Sequence, residues 1–148
     1  MKYAKVIVAG LIAIAAMTAF MLIAPLIGLP KMNMGELLGA LLWDSKVLGW
    51  IAHVVMGIVF AFIYTTIFNQ WIPVINYTLR GLLYGIVIYI MSQIVFTTIN
   101  LLGEYTYDMK ENMALASFGY MLAGMIYGAT LGTIVKGQKI TKAVFPSY

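Results

Sequence analysis

Four long apolar runs, parted by short polar gaps, limit what this chain can fold into. They cover about 6–29, 47–68, 80–102 and 113–135. A helix needs about 20 residues to cross the hydrocarbon core of a bilayer, so each run is long enough. The chain has 148 residues, 63% of them hydrophobic and 9% charged. A soluble domain carries roughly 25% charged residues, and one of this size could not hide so much apolar surface from water. In a bilayer, lipid surrounds the outward faces instead. The expectation is an all-α, polytopic four-helix bundle, one integral membrane domain over residues 1–148. The first run follows Lys2 and Lys5, as a signal peptide would, but it is too long for an h-region of roughly 7–15 residues. It therefore reads as a retained span.

The gaps carry the charges unevenly. Lys2, Lys5, Arg80, Lys136, Lys139 and Lys142 fall on one side of the four-span plan. Lys31, Lys46 and Lys110 share the other with all five acidic residues, Glu36, Asp44, Glu104, Asp108 and Glu111. Cytoplasmic flanks collect lysine and arginine, which predicts both termini inside. Trp43, Trp50, Tyr105 and Tyr107 then mark the outer interface, and Trp71 and Tyr77 the inner one. The basic residues are explained by topology, so nucleic acid is not an expected partner. With no cysteine, thiolate metal sites, iron–sulfur clusters and cysteine nucleophiles are excluded.

Asn33 followed by Glu36 resembles a helix-capping pair. Leu37, Leu38, Leu41 and Leu42 then share one face, which predicts a short interfacial helix over Met34–Trp43. Pro73 keeps the second and third spans apart. The tail after Lys136 is polar and ends Phe145-Pro146-Ser147-Tyr148, a segment suited to disorder or to docking on a partner. His53-x3-Gly57-x3-Ala61 in span two matches Tyr120-x3-Gly124-x3-Gly128 in span four. Gly10-Leu11 in span one matches Gly81-Leu82 in span three. The pattern suggests two parallel two-helix repeats.

Apolar burial alone does not drive helices together in lipid, whereas close backbone packing does. Gly49, Gly57 and Ala61 in span two, and Gly124, Gly128 and Gly132 in span four, keep a narrow stripe of small residues at fourfold spacing. These are the expected helix-packing residues, within one chain or against another subunit.

His53 is the one ionisable residue well inside a span. Tyr89, Gln93, Thr97 and Asn100 share a face of span three. A polar stripe in lipid should turn inward, so His53, Gln93, Thr97 and Tyr120 are expected near one another as a candidate ligand site. Imidazole there suits haem, copper or a quinone carbonyl, none of them favoured over the others, or a purely structural hydrogen bond. Met32 and Met34 add thioethers that suit Cu(I), with His53 as a further ligand. No carboxylate pair lies within a span. No Ser/His/Asp set, phosphate loop or zinc spacing is present either, so no catalytic residue is expected.

Three segments carry a resemblance. They are Gly28-Leu29-Pro30-Lys31-Met32, Gly49-Trp50-Ile51-Ala52-His53 with Gly57 and Tyr64, and Arg80-Gly81-Leu82-Leu83-Tyr84-Gly85. Together they resemble a family of small prokaryotic four-span membrane proteins of unknown function. The resemblance implies the same four-span plan and supplies no activity or ligand. The functional expectation is a non-enzymatic accessory or assembly subunit of a larger membrane complex, respiratory or otherwise redox, in a prokaryotic cytoplasmic membrane. Its expected partners are the lipid bilayer and other membrane subunits or further copies of itself. A haem-, quinone- or copper-binding module at His53 is the alternative, and a small transporter or channel the third.

Overall fold

A computed structural model describes residues 2–71, 76–101 and 113–136. In chain order the helices are α1 (Lys2–Ile23), α2 (Met34–Ala40), α3 (Lys46–Ile63), α4 (Asn69–Trp71), α5 (Tyr77–Leu101) and α6 (Met113–Val135). A 3-10 turn, Ala24–Ile27, follows α1, and a π-helical segment, Tyr64–Phe68, joins α3 to α4. Four stretches are long and apolar enough to cross a membrane: Tyr3–Ile27, Lys46–Phe68, Tyr77–Thr98 and Ala114–Val135. The loop bearing Glu104, Asp108 and Glu111 lies outside the described residues, as do Pro73 and the tail carrying Lys139, Lys142 and Phe145–Tyr148.

The helix ends follow local chemistry. Pro25 stands in the first turn of the 3-10 segment, where its missing N–H costs little. Gly28 then closes that segment with φ 86°, a left-handed conformation that a side chain disfavours. Asn33 caps α2, its Oδ1 accepting from Glu36 N at 3.2 Å. The helix stops at Ala40, short of the expected Trp43, because Trp43 and Asp44 take φ of 51° and 54°. That reversal delivers Ser45 as the cap of α3, its Oγ accepting from Leu48 N at 3.4 Å. The third span starts at Tyr77, before Arg80, so Arg80 is part of the helix. The π segment also has a cause in side chains. Thr65 Oγ1 donates to Ala61 O (3.1 Å) and Phe62 O (3.0 Å), and Thr66 Oγ1 to Phe62 O (2.7 Å). Such back-bonding disturbs the regular helical ladder.

α5 and α6 form the most extensive helix pair, α1 packs on both α6 and α3, and α2 packs on α3. The small residues explain the pairing. Gly81 and Gly85 of α5 lie backbone to backbone against Gly128 and Gly124 of α6, and Gly132 meets Tyr77 and Gly81. Gly10 of α1 lies against Gly57 and Ala61 of α3. Gly49 instead holds α2, against Gly35 and Gly39. The two hairpins therefore share one matching contact of the suggested repeat, Gly10 with Ala61 and Gly81 with Gly128. The main core joins α1 and α6 to the π segment after α3 through Val6, Ala9, Ala13, Tyr64, Tyr127 and Leu131. A second, smaller core lies toward α2 and contains Met21, Ala24, Met32 and Ala123.

Candidate functional site

One adjacent pair of spans is not zipped together. α3 and α5 scarcely touch backbone to backbone. Near the chain termini they are tied by side chains. Tyr84 Oη donates to Phe60 O at 2.7 Å, and Tyr84 packs its ring against Tyr64 and Phe68 at 5.1 and 4.8 Å. Arg80 Nη1 donates to Asn69 O at 3.1 Å and also to Asn69 Oδ1. Toward α2 the helices part, and a groove of about 360 Å3 opens between them.

The groove is nearly all apolar. Its floor includes Ile14, Gly57 and Tyr127, its flanks carry Phe60, Ile88 and Phe96, and Met34 and Leu38 of α2, with Leu41 just after it, form its roof. Tyr127 lies underneath, with Oη donating to Gly57 O at 2.5 Å. Met17, Met34, Met56 and Met91 come from four different helices and all line it. His53 and Ser92 are the other polar side chains in the wall. Ser92 Oγ donates to Ile88 O at 2.8 Å, which leaves its lone pairs facing away from its own helix.

His53 is 5% exposed. Its Nε2 shares a long hydrogen bond of 3.4 Å with Thr18 Oγ1 of α1, at the weak end of such bonds. The Trp50 ring meets it edge-on with centroids 5.7 Å apart. Trp50 in turn lies against Gly35 of α2. The position of α2 thus reaches the imidazole through one indole ring.

α2 is held at its exposed edge by Lys46 Nζ on Glu36 Oε1 at 2.8 Å. The hydrogen bond from Lys46, then its charge, holds the Glu36 carboxyl below the ordinary carboxylate range. The tie is therefore complete above that range and is lost as pH falls through the lowered value. Being exposed, it contributes little stability. In a carboxyl-carbon NMR titration, Lys46→Gln should raise the Glu36 midpoint toward an ordinary glutamate. An unchanged midpoint would show that the pair does not form in solution.

The expected polar cluster is not gathered in one place. His53 meets Thr18, and Gln93 Nε2 reaches Ser117 Oγ of α6 at 3.3 Å. Tyr120 packs with Met21, Met32 and Ala123 in the second core, and Thr97 is exposed. The side chain of Asn100 lies outside the described residues. The inward-stripe expectation fails at Thr97 for a simple reason. A threonine facing lipid can bond to a carbonyl of its own helix, as neighbouring Thr98 Oγ1 does to Ile94 O at 2.8 Å, and needs no neighbouring helix. Met32 and Met34 also diverge in surroundings. Met32 lies over Gly119 of α6, while Met34 lines the groove with His53. Among the described residues, no three of His, Asp and Glu come together as a metal centre would require.

From sequence, Arg80 carries only a topological role, Tyr84 only a place in the resemblance, and Asn69 and Tyr127 none. A signal is present for the arginine and the tyrosines. A tyrosine within an apolar run must find a partner for its hydroxyl, and an arginine one turn into a helix cannot reach water by the loop alone.

The fold and groove define a four-span helical membrane protein with a side pocket between its second and third spans. The chain belongs to a family of unknown function, DUF6789, which it matches over residues 1–142. No curated protein and no solved structure matches it.

Proposed function

We propose that this protein is a non-enzymatic accessory module of the membrane that holds a small neutral, lipid-soluble ligand in the groove, with His53 as the polar contact. The observation that carries this is the groove's lining: apolar on all sides, with one loosely engaged imidazole. A volume of about 360 Å3 falls within the roughly 300–1,000 Å3 of small-molecule sites.

Its chemistry separates the three ligand classes expected from sequence. Haem brings two carboxylates, and the lining holds no cation to pair with them, so burying them there is costly. A copper ion would draw its ligands tightly together and does not fill a space of this size. A quinone-like molecule, a flat ring with carbonyl oxygens and an apolar tail, suits a groove of methionines and phenylalanines with one ring nitrogen. Methionine side chains adapt readily to such shapes.

The accessory role is supported by the close-packed glycine faces of the spans. The charge distribution supports both termini in the cytoplasm of a prokaryotic cell, which sets the groove in the outer half of its inner membrane. Partner subunits would then meet the apolar outer faces of the bundle.

The test uses Trp50 as reporter, after Trp43→Phe and Trp71→Phe leave it as the single tryptophan. Decylubiquinone added to vesicles holding the protein should quench its fluorescence saturably. His53→Leu should weaken binding about tenfold, the loss of one hydrogen bond of about 1.4 kcal/mol. Linear, non-saturating quenching of the wild type would sink the ligand-binding function. Equal affinity in His53→Leu would remove His53 from it.

A further inference from the structure

We infer that the groove loads sideways, through the gap between α3 and α5, from molecules dissolved in the bilayer, with Met56, Met91 and Val95 as its rim. The inference rests on the ligand-binding function proposed above and specifies its route and the residues that select what passes.

The three rim residues line the groove yet are 40%, 56% and 51% exposed. They lie on the two spans that fail to zip, one on α3 and two on α5. The other boundaries are closed. Toward the termini, Tyr84 on Phe60 and Arg80 on Asn69 join the helices. Toward α2, the roof residues Met34, Leu38 and Leu41 are all partly covered, none exposed. Their helix is seated with Gly35 and Gly39 directly against Gly49, and Asn33 caps it. At the back, α1 packs on both α3 and α6.

The repeat sharpens the point. If α1 matches α5 and α3 matches α6, the seam between α1 and α6 has its counterpart between α3 and α5. The first seam is extensive and the second barely exists. The bundle thus departs from its own symmetry at the side that faces lipid. The rim chemistry fits this route. Methionine is unbranched and swings aside without a backbone change, and an apolar rim offers nothing to a hydrated solute.

Stopped-flow quenching of Trp50 by decylubiquinone in vesicles tests the route, because it reads rate and final amplitude separately. Met91→Phe with Val95→Phe should slow loading about tenfold or more, and Met56→Phe, from the opposite helix, should do likewise. Slow approach to the wild-type amplitude shows that the variants are folded and the site intact. Asn33→Ala, which removes the cap of α2 and so loosens the roof, should leave the rate unchanged. Wild-type rates in the rim variants, or faster loading once the roof is loosened, would overturn the lateral route while leaving the ligand site standing. Absence of saturable quenching in the wild type overturns the site and the route together.

Discussion

Gly128→Leu is expected to force α6 away from α5 and to cost about 3 kcal/mol or more of stability. The reason is backbone contact. A methyl at Gly128 would lie 2.8 Å from Gly85 N and 2.9 Å from Gly81 C, with Gly81 O closer still. Main-chain atoms cannot turn aside as a side-chain end can, so the helices must part. Parting them removes the close packing that holds helices together in lipid. Gly85→Leu should act alike, since its methyl would meet Gly124 C at 2.6 Å and Met125 Cα at 2.8 Å. Gly28→Ala is the contrasting case. Nothing lies within 4 Å of its Cβ position, and only the φ of +86° is strained, a penalty of about 1–2 kcal/mol. Melting curves followed by circular dichroism in detergent should rank Gly128→Leu and Gly85→Leu well below Gly28→Ala. A wild-type melt for Gly128→Leu would mean that α5 and α6 are not packed backbone to backbone.

Arg80→Met should cost about 2–3 kcal/mol and should loosen α3 from α5. Arg80 is 9% exposed and Asn69 4%. The guanidinium bonds both the main-chain and side-chain oxygen of Asn69 and lies 5.6 Å from the Tyr77 ring centre. It meets α4 just after the π segment, where helical carbonyls lack intrahelical partners and favour a cation. Removing it leaves two buried oxygens without that donor. Arg80→Lys keeps the charge but not the forked geometry, so it should recover only part of the loss. Asn69→Ala should cost at least as much as Arg80→Met, because it leaves a buried charge with fewer partners. In the double mutant the losses should fall well short of additive, as for residues in one network. Additive losses in denaturant titrations would show that the two side chains act independently. The same variants bear on the groove, since this clasp and the Tyr84 bond close its end toward the termini.

Much of the architecture is legible in residue order because it depends on local chemistry. Each apolar run became a spanning helix, since length and hydropathy suffice to require one in lipid. Asn33 announces α2, because capping involves only the next three residues. The fourfold glycine period marks which face of a helix is smooth. It does not say what the face meets, and here the answers differ. Gly49 takes α2, Gly57 and Ala61 take α1, and Gly124 and Gly128 take α5. The polar residues were harder to place for the same reason. Their shared depth in the bilayer suggested one cluster, but lateral position around the bundle sent Gln93 to Ser117 and Tyr120 to the second core.

The sequence by itself determined a four-span helical protein, its uneven charges and the short helix α2. Those follow from properties summed along the chain or confined to one turn. Only the tertiary structure decided that α3 and α5 stand apart, that α2 roofs the gap, and that His53 stands opposite Thr18 in its wall. It also decided that Arg80 is a buried clasp as well as a topological charge. Each of these depends on which helix lies beside which, and helix neighbours are chosen by close packing between residues far apart in sequence.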